Sequence, residues 1–129
     1  MSIQTRLGRA VILVEDYDKA FAFYEQNFFC NKLVDTITPE GQRLLHVSFS
    51  ENDRTGIWFL EGKVTGQQTQ GQPTLVIYTN NIEDLYTHVQ ENGVHILESL
   101  VISREWSYFH CADLYGNRLT VVELPGTTF

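Results

Sequence analysis

The sequence predicts an α+β fold: two βαβββ modules forming a curved eight-stranded mixed sheet with a concave cavity. Three observations point there. A buried strand, a capped helix and three further strands follow one another in the first half. The same order returns in the second half, with the candidate helix caps Asp16 and Asn81 standing 65 residues apart. Between the halves lies a glutamine- and glycine-rich stretch, residues 63–72, with little to bury.

In the first half, Ala10-Val11-Ile12-Leu13-Val14 is rich in β-branched residues and bordered by polar ones, which reads as a buried strand. Asp16 is a candidate N-cap for a helix over about 17–28. Phe21, Tyr24 and Phe28 give that helix an apolar stripe, widened by Ala20 and Phe23. Strand-like stretches follow at 32–38, 43–49 and 56–60, separated by Pro39-Glu40-Gly41 and Glu51-Asn52-Asp53 as turn signals.

In the second half, residues 74–79 are strand-like and Asn81 caps a helix whose stripe is Ile82, Leu85 and Val89. Asn92-Gly93 is a helix stop. Strands are expected at 96–103, 107–112 and 118–124, the last two joined by the turn Asp113-Leu114-Tyr115-Gly116-Asn117. Each half is expected to be a four-stranded antiparallel sheet covered on one face by its helix. The expected organisation is one domain over 1–129: module one at about 7–62, a connector at about 63–72 and module two at about 73–124.

Composition limits the partners. With 129 residues and 43% hydrophobic content the chain suits a single domain with a sizeable core. A net charge of −7 offers no basic face, which disfavours nucleic acid. Cys30 and Cys111, one in each half and without CxxC spacing, fit a reducing cytoplasm better than a disulfide scaffold. No apolar leader opens the sequence and no apolar run approaches membrane-spanning length, so a cytoplasmic protein without membrane partners is expected.

Two segments, Val14-Glu15-Asp16 leading to Ala20-Phe21-Ala22-Phe23-Tyr24, and Phe109-His110-Cys111-Ala112-Asp113-Leu114-Tyr115-Gly116-Asn117-Arg118-Leu119, carry a family resemblance. Residues 7–124 resemble the glyoxalase/bleomycin resistance protein/dioxygenase superfamily, also called the vicinal oxygen chelate superfamily. The second segment is similar to that family's phenylalanine-aspartate-proline-aspartate-glycine-asparagine turn, with Leu114 in place of the proline and Tyr115 of the second acid.

The resemblance implies where a metal would sit in metal-dependent members: on histidines and glutamates facing the cavity. Position by position these fall on Arg9, Thr74 and Thr120, and approximately on Trp58 in the first module. None of these is a good ligand for a divalent cation, and Arg9 would repel one, so neither metal nor other cofactor is expected. Glu123 lies three residues beyond Thr120 and has the opposite strand parity.

Strand alternation places His46 and His110 on the cavity side, Tyr108 beside His110, and Phe109 and Cys111 toward the helix. His88 and His95 read as surface residues. The expected ligand-binding set is Arg9, His46, Trp58, Tyr78, Trp106, Tyr108, His110 and Thr120. Aromatic walls suit a flat or partly apolar small molecule. Arg9 would hold a carboxylate or phosphate, or else form a salt bridge to an acid such as Glu123 or to a neighbouring subunit. The tryptophans could equally be core packing, and each histidine a hydrogen-bonded residue in a half-polar pocket.

Two functional classes follow. The first is a metal-free small-molecule binding protein resembling the bleomycin-resistance branch, a homodimer by that resemblance, although Arg9 opposes a cationic drug. The alternative is a glyoxalase- or dioxygenase-like enzyme, a lyase, isomerase or oxygenase. It would use a substituted metal site on His46 and His110, or metal-free acid–base catalysis by Arg9, Tyr108 and His110. A third class, an interaction protein pairing through sheet edges, has less in its favour. The sequence leaves the ligand unnamed, any catalysis open, and the pairing of modules within or between chains undecided.

Overall fold

The computed structural model describes residues 2–63 and 72–126. The chain divides into two compact units, Met1–Val64 and Thr65–Phe129. The first contains β1 (Arg9–Val14), α1 (Tyr17–Phe28), β2 (Asn31–Ile37), β3 (Arg43–Ser48) and β4 (Gly56–Glu61). The second contains β5 (Pro73–Tyr78), α2 (Ile82–Glu91), β6 (His95–Val101), β7 (Ser107–Ala112) and β8 (Arg118–Glu123). The two four-stranded mixed sheets, eight strands among the described residues, are those of the expected α+β fold. The connector expected at 63–72 lies, apart from its two end residues, outside the described residues.

Each sheet is mixed rather than antiparallel. The strand orders are β1-β4-β3-β2 and β5-β8-β7-β6, with β1 parallel to β4 and β5 parallel to β8. The cause is the connection. The helix carries the chain back across the sheet, so β2 starts in the direction of β1, and two antiparallel steps return β4 to that same direction. Local pattern cannot reveal this pairing, because β1 and β4 are distant in sequence.

Duplication holds at the level of register. In the first unit one cross-strand row reads Val11, Trp58, His46, Val34, and in the second Val76, Thr120, His110, Glu98. The caps repeat as well: Asp16 accepts the amide of Lys19 at 3.0 Å and Asn81 that of Asp84 at 3.2 Å, each satisfying a donor that the helix leaves open. The second helix gains one more acceptor, the Glu123 carboxylate, which takes the Ile82 amide at 2.7 Å.

Alternation fills the helix-covered faces. Ile12, Val14, Leu45, Val47, Ile57 and Phe59 are buried together with Phe23, Tyr24 and Phe28 of α1. Tyr24 meets Phe59 with ring centroids 5.5 Å apart. In the second unit Ile77, Phe109, Cys111, Leu119 and Val121 are buried with Ile82, Leu85 and Val89 of α2. The α1 stripe is centred on Ala20, Phe23, Tyr24, Asn27 and Phe28, and the expected Phe21 falls at its margin, half-buried under Lys32. Burial pushes the thiols of Cys30 and Cys111 up to about 12, so both are unreactive.

Two local devices end elements. α1 stops at Phe29, which takes the left-handed conformation at φ 63° while 62% exposed; its amide donates to the Glu25 carbonyl. The β7–β8 turn is built on Asp113, whose Oδ1 accepts the amides of Tyr115 at 2.9 Å and Asn117 at 3.0 Å. The fully buried Asn117 donates Nδ2 to Asp113 Oδ2 at 2.8 Å, and Gly116 supplies the φ of 80° that a side chain would resist.

Replacing Asn117 by Ala removes its hydrogen bond to the buried Asp113 carboxylate and should cost about 1–3 kcal/mol, read as a lower urea midpoint at unchanged slope. Phe29→Gly should do the opposite. It relieves a non-glycine residue held in the left-handed conformation, and should raise stability by about 1 kcal/mol in thermal unfolding followed by circular dichroism.

Candidate functional site

In the first unit Arg9, His46 and Trp58 come together on the sheet face turned away from α1. Arg9 opens β1 opposite Gly56, and a Cβ on Gly56 would lie 2.0 Å from the Val47 carbonyl oxygen. Glycine there lets β4 close on β3 in the register that sets Trp58 against His46. The two rings are 5.2 Å apart, tilted by 40°. Arg9 Nε donates to His46 Nδ1 at 3.1 Å, and Nη1 donates to the carbonyls of Gly8, at 2.8 Å, and Arg54.

That hydrogen bond fixes the imidazole. A guanidinium nitrogen is always a donor, so His46 Nδ1 is the acceptor and Nε2 bears the proton. Burial, and then the Arg9 charge, push the His46 pKa below its ordinary value and keep the ring neutral. His46 Nε2 and Trp58 Nε1 are both buried and, among the described residues, have no hydrogen-bond partner. Leaving such a donor unpaired costs about 1–3 kcal/mol.

The second unit presents a different surface. Trp106, Tyr108 and His110 run along one face of β7 and its leading residue, with centroids 5.4 Å and 5.5 Å apart. Trp106 is held by its hydrogen bonds with Ser103. His110 Nδ1 lies 2.8 Å from Thr120 Oγ1, and Nε2 lies 3.4 Å from Glu98. Glu98 also accepts from Tyr108 Oη at 3.5 Å and lies 3.7 Å from Arg118. Burial first, then Arg118, push the His110 pKa down against a smaller upward pull from Glu98. Tyr78 shares the face, in the row Tyr78, Val122, Tyr108, but stands outside the stack at 54% exposed.

The eight expected residues thus form two groups, one in each unit: Arg9, His46 and Trp58, and Trp106, Tyr108, His110 and Thr120 with Tyr78 beside them. Glu98 and Arg118 belong to the second group and were not foreseen. For Glu98 the reason is β6, where irregularities on both sides of it break the alternation from which its face would be read. Trp58 and Thr120 do occupy matching places, each cross-strand partner of its unit's histidine. Thr74 sits at an irregularity in β5, its hydroxyl buried and without a hydrogen-bond partner among the described residues. Glu123 turns to α2 rather than to Arg9, and among the described residues Arg9 makes no ion pair.

A divalent metal does not fit these positions. Arg9 takes the one free lone pair of His46, and Thr74, Trp58 and Thr120 are poor donors. Among the described residues no three His, Cys, Asp or Glu side chains converge.

The architecture is shared with solved structures at low sequence identity. TnmS3, an antibiotic binding protein from Streptomyces sp. CB03234, superposes with a TM-score of 0.75 at 20% identity, covering 96% of this chain and 98% of that one. A superfamily member from Sphaerobacter thermophilus DSM 20745 gives 0.77 at 22% identity, covering 93% and 98%. FosX, a genomically encoded fosfomycin resistance protein from Listeria monocytogenes, gives 0.74 at 12% identity, covering 97% and 96%. No curated protein matches the chain in sequence. The family model of the Glyoxalase/Bleomycin resistance protein/Dioxygenase superfamily matches residues 6–121, and the chain belongs to that superfamily.

Proposed function

We propose that this chain is a small-molecule binding protein of the bleomycin-resistance type, acting as a cytoplasmic homodimer and holding its ligand without a metal. One observation carries the reading: the positions where metal-dependent members place ligands bear Arg9, Thr74, Trp58 and Thr120, while the same sheet faces offer aromatic rings and hydrogen-bonding groups. Val11, Val76, Tyr78 and Trp106 remain between 49% and 56% exposed on those faces, apolar surface that a flat ligand would cover. The antibiotic-binding and fosfomycin-resistance functions of the fold neighbours agree with this class. Among the described residues, no helix is long and apolar enough to cross a membrane.

A second reading, metal-free acid–base catalysis, is favoured by one cluster. His110 lies between Glu98 and Thr120 with Tyr108 alongside, so an imidazole able to exchange a proton is held by an acid and a hydroxyl. Turnover of a bound ligand that stops in His110→Gln while binding persists would establish it.

The two tryptophans, Trp58 and Trp106, report one on each unit. Aromatic carboxylic acids should quench their fluorescence saturably, and Arg9→Ala should weaken that binding by ~1.5–3 kcal/mol, at least tenfold. An unchanged affinity would remove Arg9 from the site. Stability should also respond to acid. His46 and His110 have folded pKa values below the unfolded value near ~6.5. The unfolded chain therefore takes up protons first as pH falls. Stability should be full above about pH 6.5 and decline below it, and replacing both histidines by Gln should flatten that part of a urea-midpoint profile.

A further inference from the structure

The acid of the second unit is loosely held. Glu98 stands on β6 with its side chain 45% exposed, and each of its contacts is long. Oε2 lies 3.4 Å from His110 Nε2 and 3.7 Å from a guanidinium nitrogen of Arg118, while Oε1 accepts from Tyr108 Oη at 3.5 Å. Charge-assisted hydrogen bonds close to about 2.7–2.9 Å, so three neighbours surround this carboxylate without engaging it fully. Both basic neighbours lie toward Oε2. Among the described residues Oε1 has the long Tyr108 contact alone, which leaves it open as an acceptor.

The surface beside that oxygen is aromatic and open to solvent. Tyr108 and Trp106 have ring centroids 5.4 Å apart, tilted by 39°, and Trp106 is half exposed. Ring faces carry negative charge and attract cations, the indole most strongly. We propose that Glu98, Tyr108 and Trp106 form a subsite for the basic end of a flat aromatic ligand, an amine or amidine protonated at neutral pH. This deepens the binding reading above and rests on it for the rest of the ligand. The ligand's N–H donates to Glu98 Oε1, and its ring lies along Tyr108 and Trp106. A carboxylate in the same place would meet an acid and the negative faces of two rings. Arg118 competes for the charge of Glu98 from the Oε2 side, which weakens the subsite without blocking it. The first unit lacks the equivalent: its row carries Val34 where the second has Glu98, and its histidine is held by Arg9.

The test is nitrogen-15 NMR of the two indoles of the full chain, titrated with benzamidine, benzamide and sodium benzoate, which share a ring and differ in charge. The Trp106 indole should shift saturably with benzamidine and about tenfold or more weakly with the neutral benzamide. Glu98→Gln keeps the side chain's size and an acceptor but removes its charge. It should weaken benzamidine about tenfold or more, leave benzamide within about twofold, and not weaken benzoate. Arg118→Gln removes the competing cation and should tighten benzamidine about threefold.

Equal affinity for benzamidine and benzamide, or a benzamidine affinity that Glu98→Gln leaves unmoved, would overturn the subsite. So would weaker benzamidine binding in Arg118→Gln, which would assign the contact to the arginine. Aromatic carboxylates that bind while benzamidine leaves Trp106 silent would overturn the subsite and leave the binding-protein reading intact. Silence of both indoles toward all three compounds in a folded protein would overturn the two together.

Discussion

Strand register in the central hairpins is the constraint on which the rest of this protein depends. In each unit β3 with β4, or β7 with β8, pairs so that one set of alternating residues meets the helix and the other is left facing away from it. Because the side-chain period is two, a slip of one residue would send Phe59 or Phe109 outward and bury Trp58 or His110 against the helix. Gly56 protects that register in the first unit because a Cβ there would collide with the Val47 carbonyl, and the Asp113–Asn117 network does so in the second. The core is thus a packing solution on one face, and it positions the chemistry on the other at no further cost in fold.

The two units show what duplication leaves free to change. Their helix-facing residues stay apolar and both caps keep the same geometry, yet the outward rows have diverged: Val11, Trp58, His46 and Val34 against Val76, Thr120, His110 and Glu98. A histidine is kept in each row, but its partner is reversed. An arginine donates to His46, which fixes the tautomer and leaves an outward N–H; an acid and a hydroxyl flank His110, which leaves its protonation open to the environment. The same imidazole therefore acts as a fixed donor in one unit and as a tunable group in the other.

Much of this was legible in the sequence because it depends on local pattern. The period-two runs, the caps Asp16 and Asn81 and the Asp113–Asn117 turn each declare themselves over a few residues, and the faces of Tyr108, Phe109, His110 and Cys111 follow from alternation. What was hidden depends on pairing between distant segments. The parallel contact of β1 with β4 has no local signature, and the irregular register of β6 concealed Glu98. The bond from Arg9 to His46 spans two strands that are not even neighbours in the sheet. The sequence suggested Arg9 as an anion contact, whereas its grip on His46 and the two unpartnered N–H groups needed coordinates to be seen.

The central claim is that the superfamily's metal positions have been given over to direct ligand recognition. Native mass spectrometry of the protein as purified tests it most directly, since one spectrum reports subunit number, bound metal and any retained organic molecule. The account predicts a dimer without a stoichiometric divalent ion that takes up aromatic carboxylates in the spectrometer's native buffer. A dimer retaining one divalent ion per chain would contradict it and return His46 and His110 to consideration as metal ligands.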